Sequence, residues 1–300
     1  MRPVLAIGVT NDINTPDSNA MTTNSLSIAR YRGSIRVAVI GACYYTTPSQ
    51  FSKFTGSFLR GLLPDHNPTQ KCFVNMRSPS PMSIDSGTSE SWIGQGGRYL
   101  DISAYASAAS AIGDSDMYLL LNDTLFTKHP SALIAKRLGA VIPSLAAVSE
   151  PAAAGEVHPS TDLLLLDSRN PTRRHLSTFC FLLNQAGFAE FRQLVDTLPK
   201  VDSNIQVRAW LDDHARDHVA LKHLLHVHLT GPASPWSWKG RLNNAVSEDL
   251  LLSKAVTVAF EYLLNERLLN LGGLIMPINV GLNYRLHAKM GALYSRLKHS

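Results

Sequence analysis

A parallel α/β sheet with helical crossovers is predicted by three observations. Short apolar runs at residues 35–41, 71–76 and 116–121 read as buried strands, rich in β-branched or leucine residues and closed by Gly, Asn or turn residues. Between them, residues 48–63 and 100–112 read as helices, so strand and helix alternate. The composition supplies a core: 45% of the 300 residues are hydrophobic and 17% are charged, with mean hydropathy near zero (−0.02). That balance excludes a disordered or collagen-like chain.

In chain order, residues 1–33 are Asn/Ser/Thr-rich and predict an extended lead-in. The first strand ends at Gly41. Phe51, Phe54, Phe58, Leu59, Leu62 and Leu63 then recur at helical spacing until Pro64-Asp-His-Asn-Pro68 stops the helix. The second strand closes on a turn-rich stretch from Arg77 to Pro81, and a Ser/Gly/Asp loop runs to Gly97. A helix rich in Ala and Ser follows at 100–112, and the third strand runs into Asn122-Asp123-Thr124. Residues 138–148 and 162–166 read as short elements, 179–183 as an apolar strand and 188–198 as a helix before Pro199. Trp210, Leu211, Val219, Leu221, Leu224 and Leu225 carry helical spacing within 207–227. A long apolar helix is predicted at 249–271, ended by Gly272-Gly273, and a last one at 281–298. The predicted organisation is a lead-in at 1–33, an α/β domain at 34–245 and a helical C-terminal extension at 246–300.

Lys plus Arg is 28 and Asp plus Glu is 23, a net charge of +5. The cations are dispersed, without the stripe of a nucleic-acid binder, so no nucleic-acid partner is predicted. Cys43, Cys72 and Cys180 lie far apart in apolar runs and predict buried free thiols, neither a zinc site nor a disulfide framework. No run reaches the ~18 apolar residues of a membrane span, and no signal-peptide pattern opens the chain. A cytoplasmic location is predicted. In the last helix Leu286, Met290, Leu293, Tyr294 and Leu297 share a side flanked by Arg285, Lys289, Arg296 and Lys298. That pattern fits docking onto the domain, or peripheral contact with an anionic membrane surface.

Parallel sheets bind ligands at the carboxyl ends of their strands, so residues 43–48, 75–78 and 122–124 should converge on one crevice, with Cys43 and Asn75 at its edge. Asn122-Asp123-Thr124 reads either as a turn cap or as hard oxygen ligands for Mn2+ or Mg2+. Arg173-Arg174 could clamp a diphosphate through guanidinium forks, or form a solvated turn. His214, His218, His223, His226 and His228 cluster within fifteen residues. A solvated helix face is the simpler reading, although two imidazoles at i and i+4 can share a metal. Ser247-Glu248-Asp249 fits a helix cap with acidic residues in the first turn.

The order of these segments resembles the GT-A glycosyltransferases, especially the family-2-like inverting enzymes. The resemblance rests on the opening strand (37–40), a second strand with a polar tip at Asn75, the Gly94-Gln-Gly-Gly97 segment before a small-residue helix, and a strand ending in the aspartate motif. It spans roughly two thirds of the chain. It implies a GT-A-like (Rossmann-like) fold and transfer of a sugar from a nucleotide-diphosphate donor to a glycan or lipid-linked hydroxyl acceptor. Asn75 would then lie near the base, and Asn122 and Asp123 would hold Mn2+ or Mg2+, with one carboxylate where the family carries two. Val227-His228-Leu-Thr-Gly231, ahead of Pro235-Trp236, resembles a His-x-x-Gly…Pro-Trp segment of retaining glycogenin- and galactosyltransferase-type enzymes. That implies His228 as a further metal ligand and the Gly231 backbone, like Arg174, against the diphosphate. Glu248 and Asp249 match the helix-start pair that supplies the catalytic base in inverting members, with Asp213 as a rival. Inversion and retention both stay open. So do two other readings, a catalytically silent protein of the same fold and another nucleotide-binding α/β enzyme. Against the latter, Gly41-Ala-Cys-Tyr-Tyr is bulky where a dinucleotide pyrophosphate would approach, and no Gly-x-Gly-x-x-Gly follows the strand.

Overall fold

The computed structural model describes residues 35–64, 68, 70–77, 90–94, 99–159, 174–199, 203–216, 218–226, 229 and 247–279. In chain order the strands are β1 (Val37–Cys43), β2 (Gln70–Asn75), β3 (Glu90–Gly94), β4 (Met117–Asn122), β5 (Ala152–Pro159), β6 (Arg174–Asn184) and β7 (Leu274–Pro277). The helices are α1 (Pro48–Leu62), α2 (Leu100–Ala111), α3 (Thr124–Lys128), α4 (Ser131–Ala146), α5 (Gln185–Asp196), α6 (Asn204–Ala215), α7 (Val219–Leu225) and α8 (Glu248–Asn270). One mixed seven-stranded sheet runs in the order β3-β2-β1-β4-β6-β5-β7. β1 is parallel to β2 and β4, β2 to β3, and β5 to β7; β6 alone opposes its neighbours β4 and β5.

The predicted α/β class holds, and its physical source is visible in the central strands. Every residue of β1 and β4 is buried, the pattern of strands covered on both faces. Ala38, Ile40 and Ala42 point into one core with α2, α5 and α8, while Val37, Val39 and Cys43 point into the other with α1 and α4. The strand does not end at Gly41 as the sequence reading expects. A Cβ there would lie 2.7 Å from the rings of Phe51 and Phe73, so glycine lets α1 sit close on β1 while the strand continues to Cys43. Thr47 caps α1: its hydroxyl accepts from Gln50 N, and Gln50 Oε1 accepts from Thr47 N in return.

Three strands, β3, β5 and β7, lie where no strand is expected. β3 falls inside the predicted loop, held by Trp92 against Phe73 (ring centroids 5.2 Å apart) and by Glu90, which accepts from Ser52 Oγ and Lys71 Nζ. β5 uses the small residues 152–155 to pack tightly beside β6. The helix read as part of a C-terminal extension belongs to the core. α8 buries Leu252, Ala255, Val256, Ala259, Phe260, Leu264 and Leu268, because its apolar residues run around the axis. It stops at Gly272, whose φ of +73° is the left-handed exit glycine favours, and β7 then joins the sheet beside β5. A Cβ on Gly273 would fall 2.0 Å from the Pro151 carbonyl, so this turn also requires glycine. The segments predicted at 1–33, 162–166 and 281–298 lie outside the described residues. No described helix is long and apolar enough to cross a membrane.

Asn184 is the tie between β6, α5 and the start of β5. It is buried, its Oδ1 accepts from Gly187 N (2.8 Å) and Ala152 N (2.9 Å), and its Nδ2 donates to the Val148 and Glu150 carbonyls. All four hydrogen-bonding positions of the amide are used. Asn184→Ala should lower unfolding stability by about 2–4 kcal/mol in urea titration, since it removes a helix cap and strands a second buried N–H. A loss within experimental error would show that the tie is not energetically significant.

Candidate functional site

The tips of β1, β2 and β4 stand side by side. Cys43 pairs with Asn75, and Ala42 with Asn122, so the predicted convergence is a matter of register. Cross-links tighten it: Met76 N donates to the Cys43 carbonyl (3.0 Å) and Asp123 N to the Ala42 carbonyl (3.2 Å). Asp123 is fully buried, and its Oδ2 accepts from the backbone N–H groups of Tyr44 (2.9 Å), Tyr45 (2.5 Å) and Thr46 (2.9 Å). The Thr46 hydroxyl adds a longer contact at 3.3 Å. Oδ1 of the same carboxylate has no hydrogen-bond partner among the described residues.

Around this point the side chains divide into buried and presented. The Cys43 thiol donates to the Thr46 carbonyl (3.1 Å), and burial pushes it up to about 11, so it is a packed thiol at neutral pH. Tyr45 is 65% exposed at the mouth, with the Lys128 ammonium 5.7 Å from its ring centroid. Asn75 is buried at the tip of β2, its Oδ1 accepting from Arg77 N (3.1 Å). Asn122 Oδ1 accepts from Thr124 N (3.0 Å), and its Nδ2 donates to Asp101 Oδ2 (3.2 Å).

Asp101 opens a second, deeper constellation that the sequence reading did not find. It follows Leu100, whose φ of +52° is a left-handed conformation costing an L residue about 1–2 kcal/mol. Thr178 Oγ1 lies 2.8 Å from Asp101 Oδ2 and 2.8 Å from Glu261 Oε1 on α8, and Thr178 N also donates to Glu261. One hydroxyl proton cannot serve two carboxylates, so the arrangement calls for a proton on one carboxyl. Burial raises the Asp101 carboxyl above its ordinary range; Lys254 lowers it and Glu261 raises it further. Asp101 is the member whose neutral form burial favours. Tyr105 donates its hydroxyl to the Thr178 carbonyl (2.7 Å) and holds the strand in place.

Of the predicted site residues, the structure brings together Cys43, Asn75, Asn122 and Asp123. Arg174 opens β6, where its backbone pairs with Pro159. The base candidates lie elsewhere. Asp213 is exposed and ion-paired with Arg216 (3.1 Å), Glu248 pairs with Arg208, and Asp249 accepts from Asn204 Nδ2 (2.8 Å). Glu248 and Asp249 begin α8, about 20 Å along its axis from Glu261 at 1.5 Å per residue. His228 and Gly231 lie outside the described residues. His214 and His218 do not share one helix face: α6 ends at Ala215 and His218 precedes α7. Instead they line a groove of about 540 Å3 between α5, α6 and α8, where His218 Nε2 lies 3.2 Å from Glu266 Oε2. Among the described residues no group of three or more His, Cys, Asp and Glu side chains could hold a metal.

The same geometry decides how the strand tips suit a divalent cation. Asn122 has both ends of its amide engaged with protein, and Asp123 Oδ2 is taken by amides. The one remaining oxygen, Asp123 Oδ1, belongs to a side chain with 0% exposure, out of reach of a cation that keeps waters and phosphate oxygens in its shell. The described residues do not fit the cation.

What the fold and site define is a class: an α/β protein with a mostly parallel seven-stranded mixed sheet whose polar strand tips meet at the carboxyl ends of β1, β2 and β4. The chain matches no protein-family model, no curated protein and no solved structure.

The buried pair gives a pH signature. A carboxyl whose folded-state value is raised stabilises the fold fully below its unfolded value, and that stability is lost as pH rises through the folded-state value. Asp101→Asn, with its amide oxygen in the place of Oδ2, keeps an acceptor for Asn122 while abolishing the titration. It should lack the parent's fall in melting temperature as pH rises above the ordinary carboxylate range. Parallel pH profiles for the two proteins would contradict the assignment.

Proposed function

We propose that the chain is a glycosyltransferase of GT-A type, which moves a sugar from a nucleotide-diphosphate donor to a hydroxyl of a glycan or lipid-linked acceptor. The observation that carries this reading is the in-register meeting of three polar strand tips, Cys43, Asn75 and Asn122, over a loop locked by Asp123. A crevice at the carboxyl ends of parallel strands suits a nucleotide. Asn75 supplies a side-chain amide at the β2 tip, where a base edge would be read. Tyr45 and Lys128 offer an exposed aromatic face and a cation at the same mouth. β6, beside β4, contains Thr178, and Thr178 holds Glu261.

The chemistry follows from those carboxyls. Glu261 is half-buried and accepts from Thr178 N–H and hydroxyl, which fixes its orientation and leaves its second oxygen for an acceptor O–H. It removes the hydroxyl proton; the freed oxygen pair forms the bond to the anomeric carbon, and the nucleoside diphosphate leaves with the electrons of the broken C–O bond. Asp101, neutral beside it, avoids the repulsion of a second negative charge in a buried site. No step here depends on a cation.

Two measurements test this. UDP, GDP, CDP, TDP, ADP, NAD and S-adenosylmethionine are screened by thermal shift, each with and without Mn2+; a nucleoside diphosphate should raise the melting temperature by mass action, and Asn75→Ala should weaken the effect. Stabilisation by NAD or S-adenosylmethionine alone would overturn the proposal. With the donor identified, Glu261→Gln should lower turnover by about 10²- to 10⁴-fold while leaving nucleotide binding unchanged. Nucleotide binding with no transfer to any hydroxyl acceptor would favour the catalytically silent reading.

A further inference from the structure

We infer that Asp123 is a positioning residue, the built-in counter-anion of the loop that joins β1 to α1, and not a ligand for a divalent cation. The inference goes beyond the transferase reading and holds whatever ligand the crevice takes. Three consecutive backbone N–H groups, those of Tyr44, Tyr45 and Thr46, converge on one carboxylate oxygen. Successive amides aimed at one point form an anion-binding concavity, and α1, capped by Thr47, follows directly with the positive end of its dipole. A diphosphate or a phosphate would satisfy such a loop. Here the chain's own carboxylate fills it, from the first residue after β4.

Two consequences follow. The negative charge of Asp123 is already balanced by the amides, so the attraction that would draw Mn2+ or Mg2+ to it is spent within the protein. The loop amides are equally unavailable to a phosphate group, so a diphosphate entering the crevice must be met by side chains and not by this turn. The Asp123 side chain then acts through the loop: it sets where Tyr45 stands at the mouth and keeps the Cys43 and Thr46 carbonyls turned toward their partners.

Removing the carboxylate should leave an anion-sized gap with its donors in place. Asp123→Ala should melt roughly 5–10 °C below the parent, and excess formate should restore part of that loss while chloride at equal ionic strength does not. The parent should gain nothing from formate. Failure of formate to restore stability would overturn the inference, as would Mn2+ raising the melting temperature of the parent but not of Asp123→Ala. Should the variant not fold, the parent alone decides: the amide NMR signals of Tyr44, Tyr45 and Thr46 should persist with Mn2+ in excess, and their selective broadening would contradict the inference. None of these readouts depends on glycosyl transfer, so a failed transferase assay and a failed loop assignment are distinguishable.

Discussion

One carboxylate oxygen organises the mouth of this protein. Asp123 stands just past β4 and gathers the amides of the loop leaving β1, while Met76 N–H on the Cys43 carbonyl ties in the tip of β2. Charge-assisted bonds of this kind are stronger than neutral ones, and burial raises the cost of leaving any of them unmade. The loop has little freedom besides. Only residues 44–47 separate β1 from α1, and α1 is pressed onto the sheet by Phe51, whose ring meets Phe73 edge-on at 5.1 Å across the space that Gly41 leaves. Strand, loop and helix are fixed together, and the exposed Tyr45 ring is held on a rigid support.

Below that point lies a polar network that links four elements through α2, β4, β6 and α8. Asp101, Asn122, Thr178 and Glu261 share hydrogen bonds in a region where an unpaired charge would be costly. Burial favours the neutral form of Asp101, and Glu261 receives both the N–H and the hydroxyl of Thr178. It also explains why α8 is no appendage. Glu261 fastens the middle of the helix to β6, Thr257 donates to the Tyr99 carbonyl ahead of α2, and the Gly272-Gly273 turn delivers β7 to the sheet.

Much of this architecture was legible in the residues. The runs that became β1, β2 and β4 are continuous and apolar because both faces are buried, and their polar ends meet in register as the topology predicts. β3 was hidden because Glu90 and Ser91 break the apolar run, and its burial rests on Trp92. β5 was hidden because Ala152, Ala153 and Ala154 read as a featureless run; their small size matters only against β6. Among the candidate site residues, the strand tips were legible from topology. Asp101 and Glu261 were not, because one looks like an ordinary acidic residue of a first helical turn and the other like a solvated position. The available signal was Phe260-Glu261-Tyr262, a carboxylate in the middle of a helix apolar on every side. Glu248 and Asp249 misled for the converse reason: acidic residues at a helix start satisfy the cap and the dipole whatever else they do.

The central claim is that the crevice over β1, β2 and β4 is where this protein meets its ligand. Backbone amide NMR during titration with the nucleoside diphosphates tests it most directly, because each strand tip reports separately. The account predicts that the largest shifts fall on residues 43–46, 75–77 and 122–124 and saturate together. Shifts confined to the groove between α5, α6 and α8, around His214, His218 and Arg267, would contradict it.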